Sequence, residues 1–374
     1  MIKNIPNGWE QKKLKDIGTF SKGTGIPGYS YVDCGEPCIG YGDIYTTYNI
    51  QFNKSVHFTD SETARSGKVA KKGTLMFTGS GETAEEIGKC VCYTGEEPLY
   101  AGGDIIMYNT DKVNPVFLAY QQNVWAFIRE KARFGQGHSV VHIHESELGE
   151  LNCLYPKERK EQDKIVEVLD VWAKAVELQE QKVEKLKEKK KALMQKLLTP
   201  KGDWKSFVLG NKCTIKTGKL DANEMVENGE YPFFTCSKEI YKINKYAFDC
   251  EALLMAGNGE IGDVKYYNGK FNAYQRTYVL YDFGFNARYI MYFLLQNFDR
   301  SICKGAQKSS MPYIKLSLLT NAKIEYPDNY EEITDIFKCT DNLIEKEEVL
   351  LSQYKEQQKA LMQKLLTGEI RVNG

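Results

Sequence analysis

The sequence carries no excess of charge of either sign: among 374 residues, Lys+Arg and Asp+Glu each number 50. A uniformly basic coat for nucleic acid is therefore excluded, and any DNA contact must come from local basic patches or be shared with a partner. The balance holds along the chain, with 15 basic and 18 acidic residues in 1–156 and 16 and 14 in 202–328. No apolar run approaches the roughly 18 residues of a membrane span. The ten cysteines include no Cys-x-x-Cys pair. With no secretory leader, they read as reduced thiols of a cytoplasmic protein that has neither a disulfide framework nor a membrane to bind.

Catalytic signatures are equally scarce. There is no Gly-x-x-x-x-Gly-Lys-Ser/Thr phosphate loop, no Gly-x-Ser-x-Gly elbow and no Asn-Pro-Pro-aromatic or Asp-Pro-Pro-Tyr tetrapeptide of amino-methyltransferases. Gly257-Asn-Gly-Glu-Ile-Gly262 does match Gly-x-Gly-x-x-Gly. A dinucleotide loop must open a helix, however, whereas Asp263 to Gly269 reads as a strand, so a tight hairpin is the better expectation. His142 and His144 would share one face of a strand near His138, yet no carboxylate or cysteine completes a metal set. A solvated or DNA-facing pair is preferred. No metal, no cofactor and no catalysis by this chain alone are expected.

What the sequence does have is a repeat. Lys191-Ala-Leu-Met-Gln-Lys-Leu-Leu-Thr199 recurs letter for letter as Lys359 to Thr367, at an offset of 168. Upstream of each copy the repeat continues as a pattern. Leu169, Trp172, Val176, Gln179, Val183, Leu186, Lys190, Leu193 and Leu197 alternate steps of four and three, a heptad seam. The offset carries these onto Phe337, Thr340, Ile344, Glu347, Leu351, Tyr354, Gln358, Leu361 and Leu365, with polar interruptions at matching layers. Two copies of one long helix are predicted. At about 1.5 Å per residue each spans roughly 58 Å, too long to lie on one small domain, so the copies are expected to pack on each other.

The rest of the chain also repeats. Residues 1–156 read as a mixed α/β domain, with strands around Cys38–Tyr41 and Gly73–Phe77 and one helix from about Pro115 to Arg129. In 202–328, Trp204 to Gly218 echoes Trp9 to Gly23, Leu254 to Glu260 echoes Phe77 to Glu82, and Asn286 to Phe298 supplies the helix. The expected order is therefore domain (1–156), helix (157–201), domain (202–328), helix (329–374). The fold class is α+β, with two mixed α/β domains separated by two long helices that pack on each other as a coiled coil. Between matching frames the two domains differ strongly in sequence, which suggests two different ligands of one class.

The order of parts, the Asn7-Gly8-Trp9 opening, the turns around Gly79 and Gly81, and above all the two Leu-Met-Gln-Lys-Leu-Leu-Thr tails with Gly368-Glu-Ile-Arg371 resemble the DNA-specificity subunit of type I restriction-modification systems. The resemblance covers nearly the whole chain, and the paired tails are its specific part. It implies a non-catalytic, DNA-binding subunit with two target-recognition domains, each reading one half of a split double-stranded site. The helices, paired as an antiparallel coiled coil, would hold these domains apart and dock two methyltransferase (modification) subunits, with motor-nuclease (restriction) subunits joining the complex. A rigid helical spacer would fix the gap between half-sites.

On that reading the DNA-contact candidates are polar and basic loop residues. The first domain offers Lys22, Arg65, Lys68, Lys71, Lys72, Ser80 with Glu82, Gln136, His138 and Ser139. The second offers Lys219, Asn258, Gln275, Arg276, Gln307, Lys308 and Ser309. Gln and Asn can pair with adenine, Arg with guanine, and Lys or Ser can hold phosphate. The loops at Gln136–His138 and Gln307–Ser309 rank first because they occupy the same place in their domains. A two-headed coiled-coil adaptor that binds proteins rather than DNA remains the alternative, with an enzyme using the Gly257 loop a weaker third.

Overall fold

Strand residues that alternate between two cores organise the first half of the chain. In the computed structural model, which describes residues 5–135, 137, 140–259, 261–302 and 313–372, Leu75 and Phe77 enter one apolar cluster while Met76 enters another. Cys90 and Cys92 part from Val91 and Tyr93 in the same way, and Ile106 and Tyr108 from Ile105 and Met107. A sheet covered on both faces needs apolar residues at successive positions, and that is why these strands read as continuous runs.

The chain divides into two compact units, Met1–Leu178 with Leu350–Gly374, and Gln179–Val349. The first unit holds a five-stranded sheet in the order Thr19–Lys22, Ile105–Asn109, Leu75–Thr78, Cys90–Tyr93, Gln51–Phe52. A second five-stranded sheet runs Tyr31–Val32, His57–Thr59, Glu36–Ile39, Leu99–Ala101, Lys68–Ala70. The expected single helix after Pro115 is two helices, Pro115–Gln122 and Trp125–Phe134. The break has a physical cause at Asn123, whose side-chain amide donates to the Cys90 carbonyl at 2.6 Å and accepts from the Cys90 N–H at 3.2 Å. The same amide donates to the Ala119 carbonyl at 2.8 Å, the acceptor that the Asn123 N–H would use in a continued helix, and the backbone turns extended at Val124.

The second unit is built on a six-stranded sheet ordered Thr214–Thr217, Thr277–Tyr281, Phe248–Ala256, Val264–Ala273, Tyr231–Phe234, Ile240–Ile243. The loop Gly257–Asp263 joins two antiparallel strands of this sheet. Among the described residues the strand Val264–Ala273, and no helix, follows the glycines, so the helix N-terminus that a dinucleotide site needs is lacking there. The helix Ala287–Ser301 begins at Asn286, whose side chain accepts from the Tyr289 N–H at 3.1 Å.

The two long helices are Arg159–Leu197 and Tyr330–Leu366. Each carries an acid in its first turn and a lysine in its last, Glu161 and Lys196 in one and Glu331 and Lys364 in the other, in keeping with the helix dipole, although the first helix opens on the basic Arg159 and Lys160. In the first unit the start of one helix (Ile165, Val166, Leu169) shares a core with the end of the other (Leu361, Met362, Leu365, Leu366). In the second unit the roles exchange, with Ile333 and Phe337 beside Leu193, Met194, Leu197 and Leu198. Start meets end in both, so the pair is antiparallel. The exchange also accounts for the identical tails. Leu366 and Leu198, one in each copy, are buried in their respective units, and their carbonyls accept amide hydrogens from Gln121 at 3.4 Å and Asn297 at 2.8 Å.

Along the seam, Leu169, Val176, Val183, Phe337, Ile344 and Leu365 are buried. Trp172, Leu186, Leu193, Leu197, Leu351, Tyr354 and Leu361 are half-buried. Among the described residues no helix is long and apolar enough to cross a membrane, and the described cysteines are free thiols.

Candidate nucleic-acid interface

A cleft of about 450 Å³ opens in the first unit where three strands end. Its floor is Gly79, whose N–H donates to the Asp104 carbonyl at 2.7 Å and whose carbonyl accepts from the Ile143 N–H at 3.0 Å. A side chain at this position would meet the Asp104 carbonyl at 3.1 Å, so glycine lets the strands converge. Strand register sets Lys22 opposite Ile106 and His142 opposite Ser80. The Ser80 hydroxyl and His142 Nδ1 share a hydrogen bond of 2.9 Å, and Lys22 Nζ lies 3.9 Å from an Asp104 carboxylate oxygen.

The second unit has a cleft of about 400 Å³ with the same frame. The Gly257 N–H donates to the Arg276 carbonyl at 2.8 Å, and the Gly257 carbonyl accepts from the Ile314 N–H at 2.8 Å. A side chain on Gly257 would come within 2.5 Å of that Arg276 carbonyl. Thr217 pairs opposite Tyr278, and Asn258 bridges Tyr313. Burial raises the Tyr278 phenol above its ordinary range, and its hydroxyl donates to the Ile314 carbonyl at 2.9 Å.

Matched through these backbone pairings, Lys22, Ser80, Asp104, Ile106 and His142 of the first cleft stand where Thr217, Asn258, Arg276, Tyr278 and Tyr313 stand in the second. Gly79 matches Gly257 and Ile143 matches Ile314. The main-chain hydrogen bonds repeat and the side chains do not, and at one position an acid faces solvent where its counterpart is a base; the backbone there also differs, Asp104 standing at φ +61 and Arg276 outside the positive-φ region.

The residues singled out from the sequence fall into three groups. Lys22 and Ser80 line the first cleft, and Asn258, Gln275 and Arg276 line the second. Arg65, Lys68, Lys71, Lys72 and Lys219 are exposed but do not line either cleft; Lys72 is ion-paired with Glu96. Gln136, His138, Ser139, Gln307, Lys308 and Ser309 lie outside the described residues.

The His142/His144 arrangement differs from the strand expected. The strand is only Val141–His142, and His144 is the N-cap of Glu145–Gly149, its N–H held by Glu147 at 2.8 Å. Among the described residues no cluster of three or more histidine, cysteine or acidic side chains could hold a metal. Sequence reasoning missed Asp104, Thr217 and Tyr313. The segments Asp104-Ile-Ile106 and Arg276-Thr-Tyr278 share no letter, so only the backbone pairing reveals their equivalence.

Residues 201–353 match the family model described as the type I restriction modification DNA specificity domain. Over 168 residues the chain is 39% identical to the type I restriction enzyme EcoDI specificity subunit of Escherichia coli, an alignment covering 44% of this chain and 37% of that relative. The chain thus spans little more than a third of the length of that protein. The type I restriction enzyme MjaVIII specificity subunit of Methanocaldococcus jannaschii is 22% identical, with 98% of this chain and 94% of the relative covered. The solved S subunit of a type I restriction-modification system from M. genitalium has the same fold, with a TM-score of 0.65 at 16% identity over 97% of this chain and 96% of that one.

Proposed function

We propose, from the match of residues 201–353 to the type I restriction modification DNA specificity domain and the likeness to known specificity subunits, that the chain is a type I restriction-modification specificity subunit: the sequence-reading, non-catalytic subunit of such a complex in the cytoplasm. Residues 1–156 and 202–328 act as target-recognition domains, each reading one half of a bipartite double-stranded DNA site. The segments 157–201 and 329–374 set the spacing between half-sites and dock two methyltransferase subunits, through which motor-nuclease subunits join.

The observation that supports this most directly is the pair of clefts with one backbone frame and different polar linings. One frame with exchanged side chains is what two readers of different sequences on a common polymer require. The even charge of both domains, 15 basic against 18 acidic in 1–156 and 16 against 14 in 202–328, fits a reader that shares its phosphate contacts with partner subunits.

Two measurements test the proposal. Binding to a duplex pool by the chain assembled with its methyltransferase partner is expected to weaken steeply between low and moderate salt. Long-read methylome sequencing of cells carrying the complex is expected to yield a motif in two separated parts, of which replacing either domain alters only one. Salt-insensitive or absent DNA binding would favour the protein-binding adaptor instead.

A further inference from the structure

Asp104 and Arg276 hold the same place in two equivalent clefts. Each carbonyl is gripped by the N–H of the floor glycine, at 2.7 Å from Gly79 and 2.8 Å from Gly257. Each side chain lines its cleft, and the two carry opposite charges. We propose that this position selects the base type in each half-site. Arg276 donates to N7 and O6 of a guanine, and Asp104 accepts from the exocyclic amine of a cytosine or adenine. The inference rests on the DNA-reading assignment above and adds the residue and the chemistry.

The sign reversal carries the argument. DNA phosphates present only acceptors and negative charge, so a position used for gripping the backbone could be basic in both heads but could not be acidic in one. Base edges in the major groove present both donors and acceptors. On base edges a carboxylate and a guanidinium held by matching main-chain bonds serve the same purpose on different letters.

The surroundings follow the same logic. Beside Asp104, Lys22 lies 3.9 Å away and supplies a positive charge that offsets the acid as it approaches a polyanion. Beside Arg276 the matching position is the uncharged Thr217. Among the described residues the Arg276 side chain makes no hydrogen bond or ion pair, so its planar fork is free for a bidentate partner. Asn258 and Gln275 on the same cleft add amide groups suited to a neighbouring base.

The test uses the assembled complex and duplexes randomised one position at a time, with methylome sequencing in parallel. Arg276→Gln is expected to lose about ten- to a hundredfold of the discrimination for guanine at one position of one half-site. Arg276→Lys keeps the charge and loses the fork, so it should lose that discrimination while the slope of binding against salt stays unchanged. Asp104→Asn is expected to relax one position of the other half-site alone. A uniform loss across all sequences in Arg276→Gln, with the salt slope reduced by about one, would identify a phosphate contact and overturn the inference. An unchanged motif in all three variants, against an intact two-part motif for the parent chain, would overturn it while leaving the DNA-reading assignment standing. A parent chain with no motif at all would remove both.

Discussion

Gln179 donates from its side-chain amide to the Glu347 carboxylate at 2.6 Å and to the Glu347 carbonyl at 3.1 Å. The two residues are 168 apart, the offset of the internal repeat, so each occupies the same position in its own copy of the helix. Two antiparallel copies bring equivalent residues side by side where a local two-fold relates them. One heptad before Gln179 and one after Glu347, Trp172 and Tyr354 meet edge to face with ring centres 6.0 Å apart, in the same register. Lys182 takes the other Glu347 oxygen at 2.7 Å. The layer is satisfied because one copy supplies an amide where the other supplies an acid; two copies of the second helix would set Glu347 against itself.

Removing one partner from this layer should therefore cost more than removing both. Glu347→Leu leaves the buried Gln179 amide with only the backbone carbonyl of residue 347 and takes away the carboxylate that Lys182 also holds, and a loss of roughly 1–3 kcal/mol is expected in urea unfolding of the Gln179–Val349 unit. The double variant Gln179→Leu/Glu347→Leu should recover most of that stability, while native mass spectrometry shows chain-exchanged dimers absent from the parent. Equal losses in single and double variants, with no dimers, would mean that the layer does not specify the partner.

A buried lysine gives a pH signature. Lys131 is 1% exposed, donates to the carbonyls of Gly88 and Gln122, and is pushed down to about 8 by burial, with Cys90 acting weakly the other way. The unfolded chain holds this proton up to its ordinary value of 10.5 and the folded chain only to about 8. Between those limits the unfolded state binds more protons, so this group's contribution to stability rises with pH. Because the buried thiols Cys90 and Cys153, both raised by burial, act in the opposite sense, the measurable quantity is a difference. The stability of the parent chain minus that of Lys131→Met should increase from about pH 8 to 10.5; a flat difference would contradict the depressed value.

The Gly368-to-Arg371 tail closes the first unit. Gly368 has φ +72, and a side chain there would come 2.7 Å from Pro6 Cγ. Arg371 reaches Glu161 with two bonds, of 2.5 and 2.7 Å, and the Asn7 carbonyl at 2.7 Å. Trp9 Nε1 donates to the same Glu161 at 3.3 Å. Arg371→Ala is expected to cost only about 1 kcal/mol because the guanidinium is partly exposed. Gly368→Val should cost more, about 1–3 kcal/mol, from a β-branched residue forced to positive φ. Hydrogen exchange around Trp9 and Glu161 should rise in both variants; unaltered protection there would show that the tail does not brace the N-terminus.

Much of this architecture could be read before any coordinates. The repeated nonapeptide and the heptad seam gave both long helices because apolar periodicity directly reflects which face is covered. That the two helices pack on each other followed from their length; the antiparallel sense came with the family resemblance, and the shared cores bear it out. The break at Asn123 was illegible, since it depends on a bond to Cys90, which belongs to a strand far earlier in the chain. The clefts were half-legible. Gly79 and Gly257 stood out as turn glycines and Arg276 as a charged loop residue, but Asp104, and its equivalence to Arg276, did not. Their positions are set by main-chain bonds that leave the side chain unconstrained, and freedom of that kind erases sequence similarity where two readers must differ.

The central claim, that the antiparallel helices hold two readers a set distance apart, is tested most directly by lengthening them. One heptad inserted into each helix beside Gln179 and Glu347 adds about 10.5 Å, equivalent to about three base pairs at roughly 3.4 Å each. Methylome sequencing of cells carrying the lengthened chain with its methyltransferase partner is expected to return both half-sequences unchanged and the gap between them longer by about three base pairs. Altered half-sequences across an unchanged gap would contradict the claim.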